Sequence, residues 1–139
     1  MAALDAYGIK YLVVGAVAFG VHAEPRLTKD MDVLVHVDAA NVDALYAALR
    51  DYGAPLHIVQ KEEFLAEDFV FFFGAPPWRI DILTSIPGVD FDQAYADRVV
   101  SELGGKRFNV LSKTWLIRAK RASGRPQDLS DLHILESFT

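Results

Sequence analysis

Strand-forming segments fill the first two thirds of this sequence and helices close it, which predicts an α+β fold: a small mixed β-sheet flanked by helices. Two further observations support that class. The chain has 139 residues and is 52% apolar, with 9 Phe, 5 Tyr and 2 Trp, enough to bury one real core. No internal repeat, low-complexity tract or Gly/Ser linker divides it. The expectation is one domain over residues 1–139, with a core at about 11–100 and a C-terminal helical segment at about 111–137.

The elements follow from local pattern. Tyr11-Leu12-Val13-Val14 reads as a buried strand stopped by Gly15, and Ala16 to Ala23 as a short helix lying over it. Asp32 to Val37 reads as a second strand. From Ala39 to Tyr52, Val42, Leu45, Tyr46 and Leu49 recur at helical spacing, with Asp38 placed to cap and Gly53 to terminate. Phe69 to Phe73 is aromatic and β-branched, and Gly74 with Pro76-Pro77 ends it. Trp78 to Leu83 resumes as a strand, so the two form a hairpin with a longer loop. The Phe69–Phe73 run reads as core, or as the edge of a homodimer. Phe91 to Val99 reads as a helix, and Gly104-Gly105 turns into a short strand, Phe108 to Val110. Ser112 is placed to cap a helix from Lys113 to Ser123, Gly124 suits its end, and a last helix runs from about Gln127 to Ser137.

Charge and composition remove several classes of function. Fourteen basic against nineteen acidic residues leave a formal charge of −5, which disfavours nucleic-acid binding through bulk charge. With no cysteine there are no disulfides, thiolate metal sites or cysteine nucleophiles. The longest apolar run, Tyr11 to Val21, is too short to span a bilayer and holds two glycines. No leader pattern opens the sequence, so no membrane association and a cytoplasmic location are expected. The charge is uneven: seven basic and sixteen acidic side chains precede residue 104, and seven and three follow it. The basic tail reads either as a solvated helix face or as one wall of a phosphate-handling cleft opposite an acidic wall.

That acidic wall would come from Asp30 and Asp32. Two apart at the start of a strand, their carboxylates point to the same side. Two such groups repel unless a cation lies between them, and hard divalent ions take carboxylate oxygens together with substrate phosphates. Asp81 sits between Ile80 and Ile82 in an apolar strand, where a lone charge is costly; it needs a metal or a salt bridge, to Arg79 or Arg26. His22 reads as a packed or capping histidine, and His36, His57 and His133 show no metal-ligand spacing.

The order of these features (Gly15-Ala16 turn, helix, Arg26-x-Thr28-x-Asp30-x-Asp32, strand, then a hairpin strand carrying Asp81) resembles the DNA polymerase β-like nucleotidyltransferase superfamily. The closest likeness is to its small AbiEii toxin-type and minimal members. The tail, Leu111-Ser112-Lys113 through Leu116-Ile117, Lys120, Gly124-Arg125 and Asp128-Leu129-Ser130-Asp131-Leu132, is similar to the C-terminal helical segment of that group. The resemblance spans about residues 11–135 and implies a nucleotidyltransferase fold. It also implies Mg²⁺- or Mn²⁺-dependent transfer of a nucleoside monophosphate from an NTP to a hydroxyl on a protein, a tRNA end or a small molecule.

On that resemblance Asp30, Asp32 and Asp81 are catalytic and hold two divalent ions, with Asp81 completing the second site or taking the hydroxyl proton. Gly15 and Ala16 let backbone N–H groups approach the triphosphate. Arg26, Lys29 and above all Lys120 neutralise phosphate charge, while Thr28 bonds a phosphate or satisfies the turn before the strand. Arg125 and Asp128 belong to the rim, or Asp128 and Asp131 simply cap the last helix and pair with Arg125. Many active members carry serine after the turn glycine and AbiEii-type members often glycine, whereas this chain has Ala16. The alternative function is therefore a non-catalytic nucleotide-binding module or the partner in a toxin–antitoxin pair. A phosphohydrolase using the same acids is a third reading, without an evident nucleophile.

Overall fold

The computed structural model describes residues 2–26, 30–74 and 79–137. Among them, six strands form one mixed sheet in the order β3-β4-β2-β1-β6-β5: β1 (Tyr11–Val14), β2 (Asp30–Val35), β3 (Val70–Phe73), β4 (Arg79–Leu83), β5 (Val99–Leu103) and β6 (Lys106–Val110). Among the described residues six α-helices accompany it: α1 (Ala2–Ala6), α2 (Gly15–His22), α3 (Ala39–Tyr52), α4 (Phe91–Ala96), α5 (Lys113–Ser123) and α6 (Pro126–Ser137), with two short 3-10 helices, Leu56–Ile58 and Lys61–Leu65, between α3 and β3. The α+β class with a mixed sheet is as the sequence predicts.

β1 lies at the centre of the sheet, antiparallel to β2 and parallel to β6, and all four of its residues are buried, as its unbroken apolar pattern requires. β2 begins two residues earlier than expected, at Asp30, and ends at Val35, so both aspartates of the pair lie inside the strand. α3 matches its predicted bounds. The Asp38 side chain accepts from the Asn41 N–H, and Gly53, at φ 95°, closes the helix in the left-handed conformation. The β3–β4 hairpin is antiparallel as expected. Phe71 and Phe73 are buried while Val70 and Phe72 are exposed on the sheet's outer strand, so the aromatic run is half core and half edge. Its loop, with Trp78, lies outside the described residues.

One expectation fails. The helix predicted over Phe91–Val99 ends at Ala96, and Val99 opens β5, which pairs antiparallel with β6 around Gly104-Gly105. β5 is an edge strand with most of its side chains exposed, so it has no alternating apolar signature; its partner makes it a strand. The tail helices stand where expected. Ser112 Oγ accepts from the Trp115 N–H at 3.3 Å, Gly124 ends α5 at φ 65°, and Pro126 opens α6, where a missing N–H costs nothing.

Two contacts fix the tail and the strand ends. Gly88, in the loop after β4, lies so close to α5 that a Cβ there would be 2.7 Å from Ala122 Cβ and 2.9 Å from the Arg118 carbonyl oxygen. At the other end, Asn41 is buried: its Oδ1 accepts from Lys10 N at 2.8 Å, and its Nδ2 donates to the carbonyls of His36 (2.8 Å) and Lys10 (3.2 Å). Asn41→Ala strands the Lys10 N–H and the His36 carbonyl, the Lys10 carbonyl keeping its bond from the His36 N–H, and is expected to cost about 1–3 kcal/mol in urea unfolding; a change within error would show that water satisfies them.

Candidate active site

β2 and β4 are parallel and in register, with Asp32 beside Asp81 and Asp30 beside Arg79. Residues in register on neighbouring strands point to the same face, so the three carboxylates predicted to converge do share one face of the sheet. The Asp32 row continues outward to Phe72 on β3 and to Val14 on β1.

Crowding falls hardest on Asp32. Burial first, then the charges of Asp81 and Asp30 and a hydrogen bond with Asp81, push its carboxyl up to about 6; Arg79 pulls the other way. Asp81 is held by a guanidinium fork. Arg79 Nε donates to its Oδ1 at 2.9 Å and Nη2 to its Oδ2 at 3.4 Å, and the same guanidinium lies 4.4 Å from the Phe72 ring centroid. Of the two salt-bridge partners considered for Asp81, Arg79 is the one found. As the side chains lie, no three His, Asp or Glu groups among the described residues form a ready-made metal cage.

Gly15 stands at the junction of β1 and α2 with φ 65°, and a Cβ on it would fall on Asp32 Oδ2, 3.1 Å from Asp32 Cγ. Both the conformation and the contact demand glycine here. The turn thus sits against the central carboxylate of the trio. Ala16 follows as the second residue of α2.

Gly15 and Asp32 open into a cleft of about 210 Å³. Its inner wall is apolar, with Leu83, Ile86, Pro87, Leu116 and Ala119, and its far lip carries Lys120, Arg125 and Asp128. Asp32 and, from the basic tail, Lys120 and Arg125 therefore line one and the same cleft.

Two of the cations expected at phosphates, Arg26 and Lys120, are already engaged. Asp131, with its side chain 0% exposed, receives Arg26 through Nη2 at 2.7 Å and Nη1 at 3.1 Å, Lys120 Nζ at 2.9 Å and Gln127 Nε2 at 3.0 Å. Burial alone would raise Asp131, but the hydrogen bonds from Arg26 and Lys120 outweigh it and hold the carboxyl at about 2. Asp128 accepts from Arg125 Nε at 2.8 Å and from Lys120 at 3.4 Å, and the Arg125 contact holds it well below the usual carboxylate range. Lys120 lines the cleft, whereas Arg26 is packed 3.8 Å over the Phe19 ring centroid. Thr28 and Lys29 lie outside the described residues.

Asp131 is the residue whose role sequence reasoning understated. Its one signal is the i, i+3 spacing with Asp128, which puts both on one side of α6. His22 Nε2 lies 2.7 Å from the Leu111 carbonyl, a packed histidine as expected. His36 pairs with Asp38 at 2.9 Å and Asp92 at 3.5 Å, away from the cleft. Among the described residues no helix is long and apolar enough to cross a membrane.

Opposite pH responses follow. Folding raises Asp32 above 3.8, so its stabilising protonated form is complete at low pH and is lost as pH climbs through about 6. Folding lowers Asp128 and Asp131, so their contribution is complete above about pH 4 and is lost as pH falls below it. In EDTA, Asp32→Asn is expected to gain stability relative to the parent on the order of 2 kcal/mol at pH 8 and little at pH 4, read by urea unfolding. An equal effect at both pH values would refute the crowding. Asp131→Ala leaves Arg26 without its acid and Lys120 with only the longer contact to Asp128, and is expected to cost about 3–5 kcal/mol; a loss under 1 kcal/mol would remove it as the anchor of the tail.

The sequence matches no protein-family model and no curated protein. Among solved structures it is similar to an antigenic nucleotidyltransferase-like protein from Paracoccidioides brasiliensis, at 18% identity and a TM-score of 0.55, over 95% of this chain and 69% of that one. The likeness shows that this chain has a nucleotidyltransferase-like fold.

Proposed function

We propose that this chain is a nucleotidyltransferase of the AbiEii type, moving a nucleoside monophosphate from an NTP to a hydroxyl acceptor with Mg²⁺ or Mn²⁺. The observation that carries the reading is the parallel register of β2 and β4. It sets Asp32 beside Asp81, with Asp30 on the same face, where the Gly15 turn and the cleft meet. Three carboxylates driven together, one of them raised to about 6, are a donor set suited to a hard divalent ion. Asp30, Asp32 and Asp81 would hold it. When bound, the ion would stabilise charge on the transferring phosphoryl group and make the acceptor hydroxyl more acidic.

The chain's own residues would do the rest. Gly15 and the start of α2 offer backbone N–H groups to the triphosphate without a side chain in the way. The apolar wall of the cleft would take the base and sugar, and Lys120 at the lip would face the phosphates while held in place by Asp131. The acceptor oxygen bonds to the α-phosphorus as the bond to the bridging oxygen breaks and pyrophosphate departs. A carboxylate, Asp81 on this reading, receives the hydroxyl proton. The acceptor class stays open among a protein side chain, an RNA end such as that of tRNA, and a small molecule.

One pair of observations favours a second reading. Arg26 and Lys120 are both bonded to Asp131, and Ala16 brings no hydroxyl to the turn. A binding module, nucleotide-sensing or half of a toxin–antitoxin pair, would need no more than this. The test is incubation with labelled ATP, CTP, GTP or UTP, Mg²⁺ and cell extract. Label transfer is expected, with Asp32→Asn and Asp81→Asn each lowering it by at least about 100-fold. Nucleotide binding without transfer selects the module; neither binding nor transfer overturns both.

A further inference from the structure

β5 ends the sheet on the side away from β3, and among the described residues no strand covers its outer edge. The tight turn at Gly104-Gly105, both at positive φ, makes Leu103 and Lys106 a bonded pair, so every second residue of β5 bonds inward to β6. The backbone groups of Val100 and Glu102 therefore face outward. The other strand of the hairpin agrees: Asn109, in register with Val100, turns its N–H away from β5 and donates to Tyr11 Oη at 3.2 Å. The side chains are bare as well, with Val99 37%, Val100 49% and Leu103 72% exposed. Within Val99–Leu103 no proline, lysine or bulge blunts the edge.

A two-fold axis can bring the outward groups of two copies together at Val100, Ser101 or Glu102. With Glu102 on the axis two carboxylates oppose each other, which is repulsive. With Val100 there, Glu102 stands opposite Arg98 of the other copy at both ends of the seam. With Ser101 there, Arg98 is diagonal to Glu102, still within reach of long side chains, and Val99 lies opposite Leu103. In both permitted registers Glu102 sits between Arg107 of its own hairpin and Arg98 of the other copy. Arg98 is held ready: its Nη1 donates to the Tyr95 carbonyl at 2.9 Å, and its guanidinium lies 4.1 Å from the Tyr95 ring centroid. The opposite edge, β3, offers no such match, because Val70–Phe73 carries no charge and Phe72 already lies under Arg79. We propose that β5 is the seam of a homodimer, pairing antiparallel with β5 of a second copy so that two six-stranded sheets become one. Backbone bonds hold the seam, and the Arg98–Glu102 pairs select its register.

The test is sedimentation velocity from about 10 µM to about 1 mM protein in about 0.15 M salt, which screens the formal charge of −5 on each copy. One strand per copy is a small contact, so the parent is expected to pass from monomer to dimer within that range. Arg98→Glu and Glu102→Arg each set like charges across the seam. Each should weaken association at least about 10-fold, and the double variant should recover to within about 3-fold of the parent. Val100→Pro removes an outward N–H that an edge strand can spare, and should leave a folded monomer. Urea unfolding checks that each variant is folded; should Val100→Pro fail to fold, the charge exchanges still decide. A parent that stays monomeric, a dimer indifferent to the single exchanges, or a double variant that does not recover would overturn the proposal. So would a dimer that survives those changes and dissociates on Phe72→Lys, since it would be built on the β3 edge.

Discussion

The site depends on one constraint: β2 and β4 run parallel with Asp32 opposite Asp81. Strand side chains alternate, so a slip of one residue would send one carboxylate to the far face and an aliphatic neighbour into its place. Register is held by what lies behind it. Val33, Val35 and Ile82 are buried on the opposite face, and a slip would expose them. The sheet's apolar side thus enforces a repulsive arrangement on its polar side. The stress collects at Asp32, which has the Gly15 backbone against it and Asp81 beside it.

A second device joins the helical tail to this sheet. Asp131 on α6 is bonded by Arg26, from the segment entering β2, and by Lys120 from α5. One fully buried carboxylate therefore connects three separate parts of the chain. Replacing such a charge by an apolar side chain need not weaken a protein, but removing it from between its cations does. The geometry gives this network a positional role: it sets Lys120 at the lip of the cleft, across from Asp32.

Much of this was legible in the sequence, where the signal was local. The buried run of β1, the spacing of α3, and the caps at Asp38, Ser112 and Gly124 each follow from a short window. The shared face of Asp30 and Asp32 needs only strand alternation. That Asp81 joins them depends on a pairing with a strand 49 residues further along the chain, and only the order of motifs hinted at it. β5 was read partly as helix because its side chains are mostly exposed, leaving no apolar pattern to find. The partners of Asp131 were hidden for a different reason. Arg26 lies 105 residues away, and an acid in the first turns of a helix is adequately explained by the helix dipole. The basic tail likewise read as a solvated face or a phosphate wall. In the structure Lys120, Arg121 and Arg125 are answered by Asp128, Asp131 and Glu136 within the same pair of helices.

The close approach of Gly88 to α5 has a consequence for the shape of the opening. Its neighbours Ile86 and Pro87 form part of the cleft's lining, and so do Leu116 and Ala119 on the helix it touches. The missing side chain therefore works as a gauge block between loop and helix. Any methyl group inserted there would press against Ala122 and the Arg118 carbonyl, so that loop and helix must part along the cleft's wall.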